Sequence, residues 1–155
     1  AGRLQRRLGG SREKQPMIAF DTNMLVRLVV DDHPQQADIA ENLLKTHRVL
    51  ISRTVLLETE WVLRSAYKLP GGRIHAFLQL LLQTENTVVE DALSVGRALD
   101  WYAQGADFAD ALHLAACGAA VMHTFDRQFC KSAREAGIAP EVRVWTGDEQ
   151  PDTSR

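Results

Sequence analysis

Apolar residues along this chain follow two rhythms. Short, nearly unbroken apolar runs occur at Met17–Phe20, Val49–Ile51, Thr87–Val89, Val121–Phe125 and Val142–Trp145. Runs of that length between polar breaks suit strands buried on both faces. Between them, apolar residues recur three and four positions apart, which is helical spacing. Asn23–Val30 is the first such segment. His33-Pro34 opens the second, with Ala37, Ile39, Ala40, Leu43 and Leu44 on its stripe, and it ends near His47. A long helix is predicted from Ser52 through Leu56, Trp61 and Val62 to about Lys68. Pro70-Gly71-Gly72 interrupts the chain, and Arg73–Gln83 resumes helical spacing with Ile74, Phe77, Leu78, Leu81 and Leu82. Further helices are expected at Ala92–Tyr102, Asp107–Ala119 and Arg127–Ala136.

Strands that alternate with helices predict an α/β fold: a three-layer sandwich around a central parallel five-stranded sheet. The expected organisation is one domain over residues 17–146, a basic arm at 1–16 and a polar tail at 147–155. No internal repeat or low-complexity tract interrupts it.

In open parallel sheets, ligands bind outside the carboxyl ends of the strands. Asp21 ends the first predicted strand in "IAFDTNMLV", and Asp126 ends the fourth in "VMHTFD". Each alone also suits a helix N-cap or a turn. In "GADFADALHLAA", Asp107 and Asp110 are three apart and share a helix face that continues to Leu114 and Cys117. Asp107 can serve the helix dipole from the first turn. Asp110 shares its stripe with apolar positions, which a solvated charge does not explain. In "LLETEWVLR", spacing does not choose between Glu58 and Glu60. Glu60 stands four residues before Arg64, the favourable order for an ion pair, which leaves Glu58 without an obvious local cation.

Should Asp21, Glu58, Asp110 and Asp126 converge, like charges about 6 Å apart would repel by roughly 2–3 kcal/mol per pair at an effective dielectric of ~20. A bound cation or partial protonation is then required. All-oxygen ligation suits Mg²⁺ or Mn²⁺ rather than zinc. Such a centre can activate water and stabilise a phosphodiester transition state.

Charge sharpens this picture. The formal net charge is −2 over 155 residues, but Arg3, Arg6, Arg7, Arg12 and Lys14 against Glu13 give residues 1–16 a net +4, leaving −6 on the remainder. An acidic body excludes a general nucleic-acid binder, so any nucleic acid must meet a local groove. The arm is expected to be a cloning remnant or an upstream-start extension, with Met17 as the natural start; the other reading is a basic arm that touches nucleic acid. Cys117 and Cys130 are the only cysteines, which points to a reducing cytosol. No apolar run approaches the ~18 residues of a membrane span.

Four segments taken together, "FDTN", "LLETEWVLR", "DFADALHLA" and "TFDRQF", resemble the PIN-domain family, and more narrowly the VapC-type toxins of type II toxin–antitoxin pairs. The resemblance covers about Met17 to Trp145. It implies a metal-dependent endoribonuclease using Mg²⁺ or Mn²⁺, with Asp21, Glu58, Asp110 and Asp126 as the acidic quartet. It selects Glu58 over Glu60, makes Asp107 an accessory carboxylate, and makes Asn23 and Thr124 hydrogen-bonding neighbours. It further implies a cytoplasmic homodimer, an RNA substrate, and a VapB-like antitoxin that aims a basic side chain into the acidic pocket.

Other readings fit less well. "LVVDD" resembles the start of a receiver domain, but the required later Asp and Lys are missing. A haloacid-dehalogenase phosphatase would need an Asp where Asn23 stands. His113, Cys117, His123 and Cys130 match no zinc spacing and are read as a core histidine and two buried thiols. Trp61 and Trp145 are expected in the core; Trp101 could pack or stack. Arg64, Lys68 and Arg73, and separately Arg127, Lys131 and Arg134, are solvated faces or phosphate contacts. A non-catalytic module whose acidic pocket captures a basic peptide is the alternative to an enzyme.

Overall fold

In a computed structural model that describes residues 16–149, the first strand, β1, spans only Ile18–Ala19. The expected basic arm, apart from Pro16, and the end of the expected tail lie outside the described residues. The chain divides after Ala92 into two compact units.

The first unit continues with α1 (Thr22–Val29), α2 (Pro34–Thr46), β2 (Val49–Ile51), α3 (Arg53–Ser65), α4 (Gly71–Gln83) and β3 (Thr87–Val89). Its strands form a parallel sheet in the order β1-β2-β3, with Ile18 opposite Val49 and Val49 opposite Thr87. Val49 and Ile51 on the central strand are wholly buried. Helix α1 packs on α2 and α3, and α4 packs on α3 and β3. Leu25 and Val26, Leu56 and Leu63, and Ile74, Phe77, Leu78 and Leu81 supply the apolar faces.

Capping sets the helix starts. The Ser52 hydroxyl accepts from the Val55 N–H at 3.3 Å, and His33 Nδ1 accepts from the Gln36 N–H at 3.3 Å ahead of Pro34. These satisfy N–H groups that a first turn leaves free. Helix α4 starts at Gly71, two residues before the expected Arg73, because the Pro70 carbonyl accepts from the N–H groups of Arg73 and Ile74. Helix α3 ends at Ser65, short of Lys68, where the backbone turns left-handed (φ 54°).

The second unit contains α5 (Ala92–Ala103), α6 (Phe108–Ala115), β4 (Met122–Thr124), α7 (Lys131–Glu135) and β5 (Val142–Val144). Strands β4 and β5 pair in parallel, with His123 opposite Arg143. The α/β class therefore holds, and the strands run parallel within each sheet. The strands form a three-stranded and a two-stranded sheet, however, and not one five-stranded sheet. Apolar runs locate strands, whereas pairing joins residues distant in sequence.

Two helices are shorter than expected. Helix α6 stops at Ala115 and the chain turns through Gly118, whose φ of 58° suits a residue lacking Cβ. Helix α7 begins at Lys131 because residues 127–130 form a turn that ends with Cys130 left-handed at φ 47°. The Arg134 guanidinium spans that turn, donating to the carbonyls of Phe129 (2.8 Å) and Arg127 (2.9 Å). Trp101 is buried, and its indole N–H donates to the Ile138 carbonyl at 3.1 Å. Phe108 is wholly buried and meets Tyr102 edge-on at 5.4 Å between ring centroids. Among the described residues, no helix is long and apolar enough to cross a membrane.

Candidate active site

In the first unit, Asp21 sits where β1 hands over to α1. It is an exposed N-cap, and its Oδ1 accepts from the Met24 N–H at 3.1 Å. The apolar run around it therefore does not bury the carboxylate, and Oδ2 stays open to other partners. Asn23 makes no side-chain hydrogen bond among the described residues, so a bonding role for it is not seen. On α3 the two glutamates separate by exposure. Glu60 is buried and paired with Arg64, whose Nε lies 2.8 Å from Oε1. Glu58, two residues earlier, faces solvent on another side of the helix, and no ion pair to it occurs among the described residues. The structure thus accounts for Glu60 as a packing pair and leaves Glu58 available. Outside the expected set, Arg53 binds Glu90 at 2.9 Å and Asp91 at 3.5 Å, and its guanidinium lowers the proton affinity of Glu90.

The second unit brings together three of the expected acids. Asp107 caps α6, its Oδ2 accepting from the Asp110 N–H at 3.1 Å. Asp110 is half-buried on the first turn of that helix. Burial raises its proton affinity first, and the charges of Asp107 and then Asp126 raise it further, while His113 acts in the opposite direction. Asp126 follows β4 and forms its own turn: Oδ1 accepts from the Gln128 N–H at 2.8 Å, and the Asp126 N–H donates to Thr124 Oγ1 at 3.0 Å. Thr124 therefore orients the backbone that carries this acid.

Among the described residues, no three His, Cys, Asp or Glu side chains lie close enough to hold a metal ion as they stand. The donor chemistry still fits a hard divalent cation. Asp107, Asp110 and Asp126 offer carboxylate oxygens only, and the repulsion felt by Asp110 is what a bound dication would relieve.

This environment has a measurable consequence. With its folded proton affinity raised, Asp110 contributes stability that is fully present below the ordinary carboxylate range and is lost as pH rises through its raised value. In EDTA at neutral pH, Asp110→Asn should therefore melt above the wild type, with the difference vanishing in acid. Excess Mg²⁺ should raise the wild-type Tm at neutral pH and leave that of the variant nearly unchanged. Thermal melts at the two pH values, with and without the ion, check both outcomes.

The remaining candidates divide by burial. Cys130 is buried, which, together with the charge of Asp110, pushes its thiol up to about 11. Cys117 is only half-buried and bonds the His113 carbonyl, so the expected pair of buried thiols is half right. His123 is exposed and not a core histidine; its Nδ1 accepts from the Trp145 indole N–H at 2.9 Å. Trp61 is 57% exposed, contrary to the expected core position, because α3 turns Leu56, Thr59, Glu60 and Leu63 inward. Trp145 is half-buried. Arg127, Lys131 and Arg134 do not make one helical stripe, since Arg127 lies in the turn and Arg134 is committed to carbonyls.

Sequence reasoning missed a cavity of about 420 Å³ lined by His123, Thr124, Phe125, Trp145, Gly147 and Glu149. Its signal was present in the alternation of His123 with Phe125 and of Arg143 with Trp145, two apolar–polar rows that a buried-strand reading obscures. Among known families, the model described as PIN domain matches residues 18–135, from β1 to the last residue of α7. No curated protein matches the chain.

Proposed function

Because the chain belongs to the PIN domain family, whose members are generally metal-dependent nucleases, we propose that it is an endoribonuclease that hydrolyses RNA phosphodiester bonds with Mg²⁺ or Mn²⁺. The observation that carries this reading is Asp110, half-buried and electrostatically coupled to Asp107 and Asp126 within a matched family segment. Asp110 and Asp126 would hold the cation in the second unit, and the family motifs give Asp21 and Glu58 of the first unit the same assignment. When bound, it would supply Lewis-acid stabilisation of the phosphoryl charge and ease deprotonation of water.

The chain's own residues do the rest. Asp21 and Asp126 each spend one oxygen on a backbone N–H, which orients the second oxygen as a fixed donor. Asp107 fixes the start of α6 and so the position of Asp110. A carboxylate oxygen of Asp110, whose proton affinity is raised by burial and by the neighbouring charges, suits acceptance of the proton from the attacking water. Trading a carboxylate for its amide at such a position removes both charge and basicity.

The narrower reading is the toxin of a toxin–antitoxin pair, a cytoplasmic homodimer restrained by a VapB-like antitoxin. The four motifs and their order support it. Exposed Ile39 and Trp61 provide apolar surface that pairing of copies would cover. The test is direct. Single-stranded RNA should be cut internally in Mg²⁺ or Mn²⁺, cutting should stop in EDTA, and restoring the ion should restore it. Equal cleavage in EDTA would remove the metal dependence, and no cleavage with either ion would remove the enzyme reading. Expression in a bacterium should arrest growth, and co-expression of the antitoxin should relieve the arrest.

A further inference from the structure

Strand geometry places His123 and Arg143 opposite each other in the β4–β5 ladder, so their side chains leave the same face. Phe125 and Trp145 lie two residues further along each chain and continue that alternation. His123, Phe125 and Arg143 are all exposed, Phe125 at 78%. A two-stranded sheet would ordinarily fill a solvent face with small polar groups. This face instead carries a phenyl ring, an imidazole and an indole.

The rings are held in place. The Trp145 indole donates to His123 at 2.9 Å, and the two ring centroids are 5.8 Å apart. The Arg143 guanidinium lies 4.7 Å from the Trp145 ring centroid. Beyond Trp145 the chain closes on itself, with the Thr146 N–H donating to Glu149 Oε2 at 3.1 Å, so that Glu149 becomes a wall of the cavity. Its volume of about 420 Å³ lies within the roughly 300–1,000 Å³ of small-molecule sites.

The chemistry of the walls selects the occupant. A phosphate would be repelled by the Glu149 carboxylate. A flat, uncharged ring with N–H groups on its edge would stack on the aromatic faces and donate to the free oxygen of Glu149. Arg143, stacked on Trp145 beside the cavity, forms no ion pair among the described residues and suits the phosphate that such a nucleotide carries. We propose that this cavity is a stacking subsite for one unpaired base of single-stranded RNA. It places that base against Phe125, the residue before the proposed catalytic Asp126, and so sets which phosphate is presented for cleavage. This rests on the nuclease reading above and adds to it a determinant of where the RNA is cut.

The test separates the two claims by measuring binding without cleavage. Fluorescein-labelled single-stranded octaribonucleotide is titrated with the full chain in EDTA, and anisotropy reports affinity. Phe125→Ala and Trp145→Ala should each weaken binding about tenfold, as expected for loss of one base stack. Phe125→Trp should restore it. Because Phe125 is largely exposed, its replacement leaves the protein folded even if Trp145→Ala does not, and thermal melts confirm which variants qualify. In Mg²⁺, Phe125→Ala should raise KM with a smaller effect on kcat and should relax the choice of cleavage position.

Wild-type affinity and cleavage pattern in Phe125→Ala, with metal-dependent cleavage intact, would overturn the subsite and leave the nuclease standing. Phe125-dependent binding without any cleavage would uphold the subsite and remove the nuclease. If Phe125→Ala instead abolished self-association in sedimentation while RNA affinity stayed unchanged, the face would belong to a second copy of the chain and the proposal would fall.

Discussion

Asp110→Asn should lower metal-dependent RNA cleavage by about 10²- to 10⁴-fold while leaving the protein folded. Asp110 is half-buried, and burial, Asp107 and Asp126 all disfavour its charge. The amide keeps its shape and removes that cost, so folding is not at risk. Asp21→Asn and Asp126→Asn should behave alike in the assay. They are clean probes for a further reason: Asn caps helices about as well as Asp, and its carbonyl can still accept from Met24 or Gln128. Glu58→Gln should follow the same pattern from a solvent-facing position. Glu60→Gln should not, because that side chain is committed to Arg64 inside the packing of α3; its loss should appear in the melt and not in the chemistry. Initial rates of RNA cleavage, read beside circular dichroism melts, distinguish these outcomes. Wild-type rates in both Asp21→Asn and Asp110→Asn would refute the assigned roles.

The second large effect concerns the floor under that site. Phe108 is wholly buried one residue after the Asp107 cap, with its ring edge-on to Tyr102. Phe108→Ala removes most of a buried aromatic side chain from a close-packed region, which costs about 3–5 kcal/mol. For a chain of this length each kcal/mol corresponds to roughly 2–4 °C, so the melting temperature should fall by about 10 °C. Urea denaturation provides the check, through a lower midpoint at unchanged slope. A shift equivalent to less than about 1 kcal/mol would mean that the region around α6 relaxes into the space, against the spread seen for such truncations.

Local features were readable from residues near one another in the chain. The α/β alternation, the helix that begins after Ser52, the place of Asp107 at the start of α6 and the Glu60–Arg64 pair each depend on a few consecutive residues, and each is found. Helix ends were less legible. Cys130 at positive φ, the carbonyls taken by Arg134 and the turn at Gly118 shorten two helices, and hydrophobic spacing continues through all three. Trp61 illustrates the same limit on exposure. Its neighbours Thr59, Glu60 and Leu63 are inward, and an apolar residue between inward positions looks buried until the partner face is known.

What the sequence determined by itself was the set of candidate acids and their local settings: four acids in segments that together resemble one family, two of them at strand-to-helix turns, one on α3, and one beside a capping acid. These follow from short-range backbone hydrogen bonding and from the three-to-four-residue rhythm of a helix, which act within a turn or two. Only the tertiary structure decided that five strands divide three and two, that Glu60 is buried while Glu58 is exposed, that Asp126 adds its charge to Asp110, and that Phe125 and Trp145 face a cavity. Strand pairing, desolvation and Coulomb interaction depend on distance in space, and residues far apart along the chain acquire those distances only on folding.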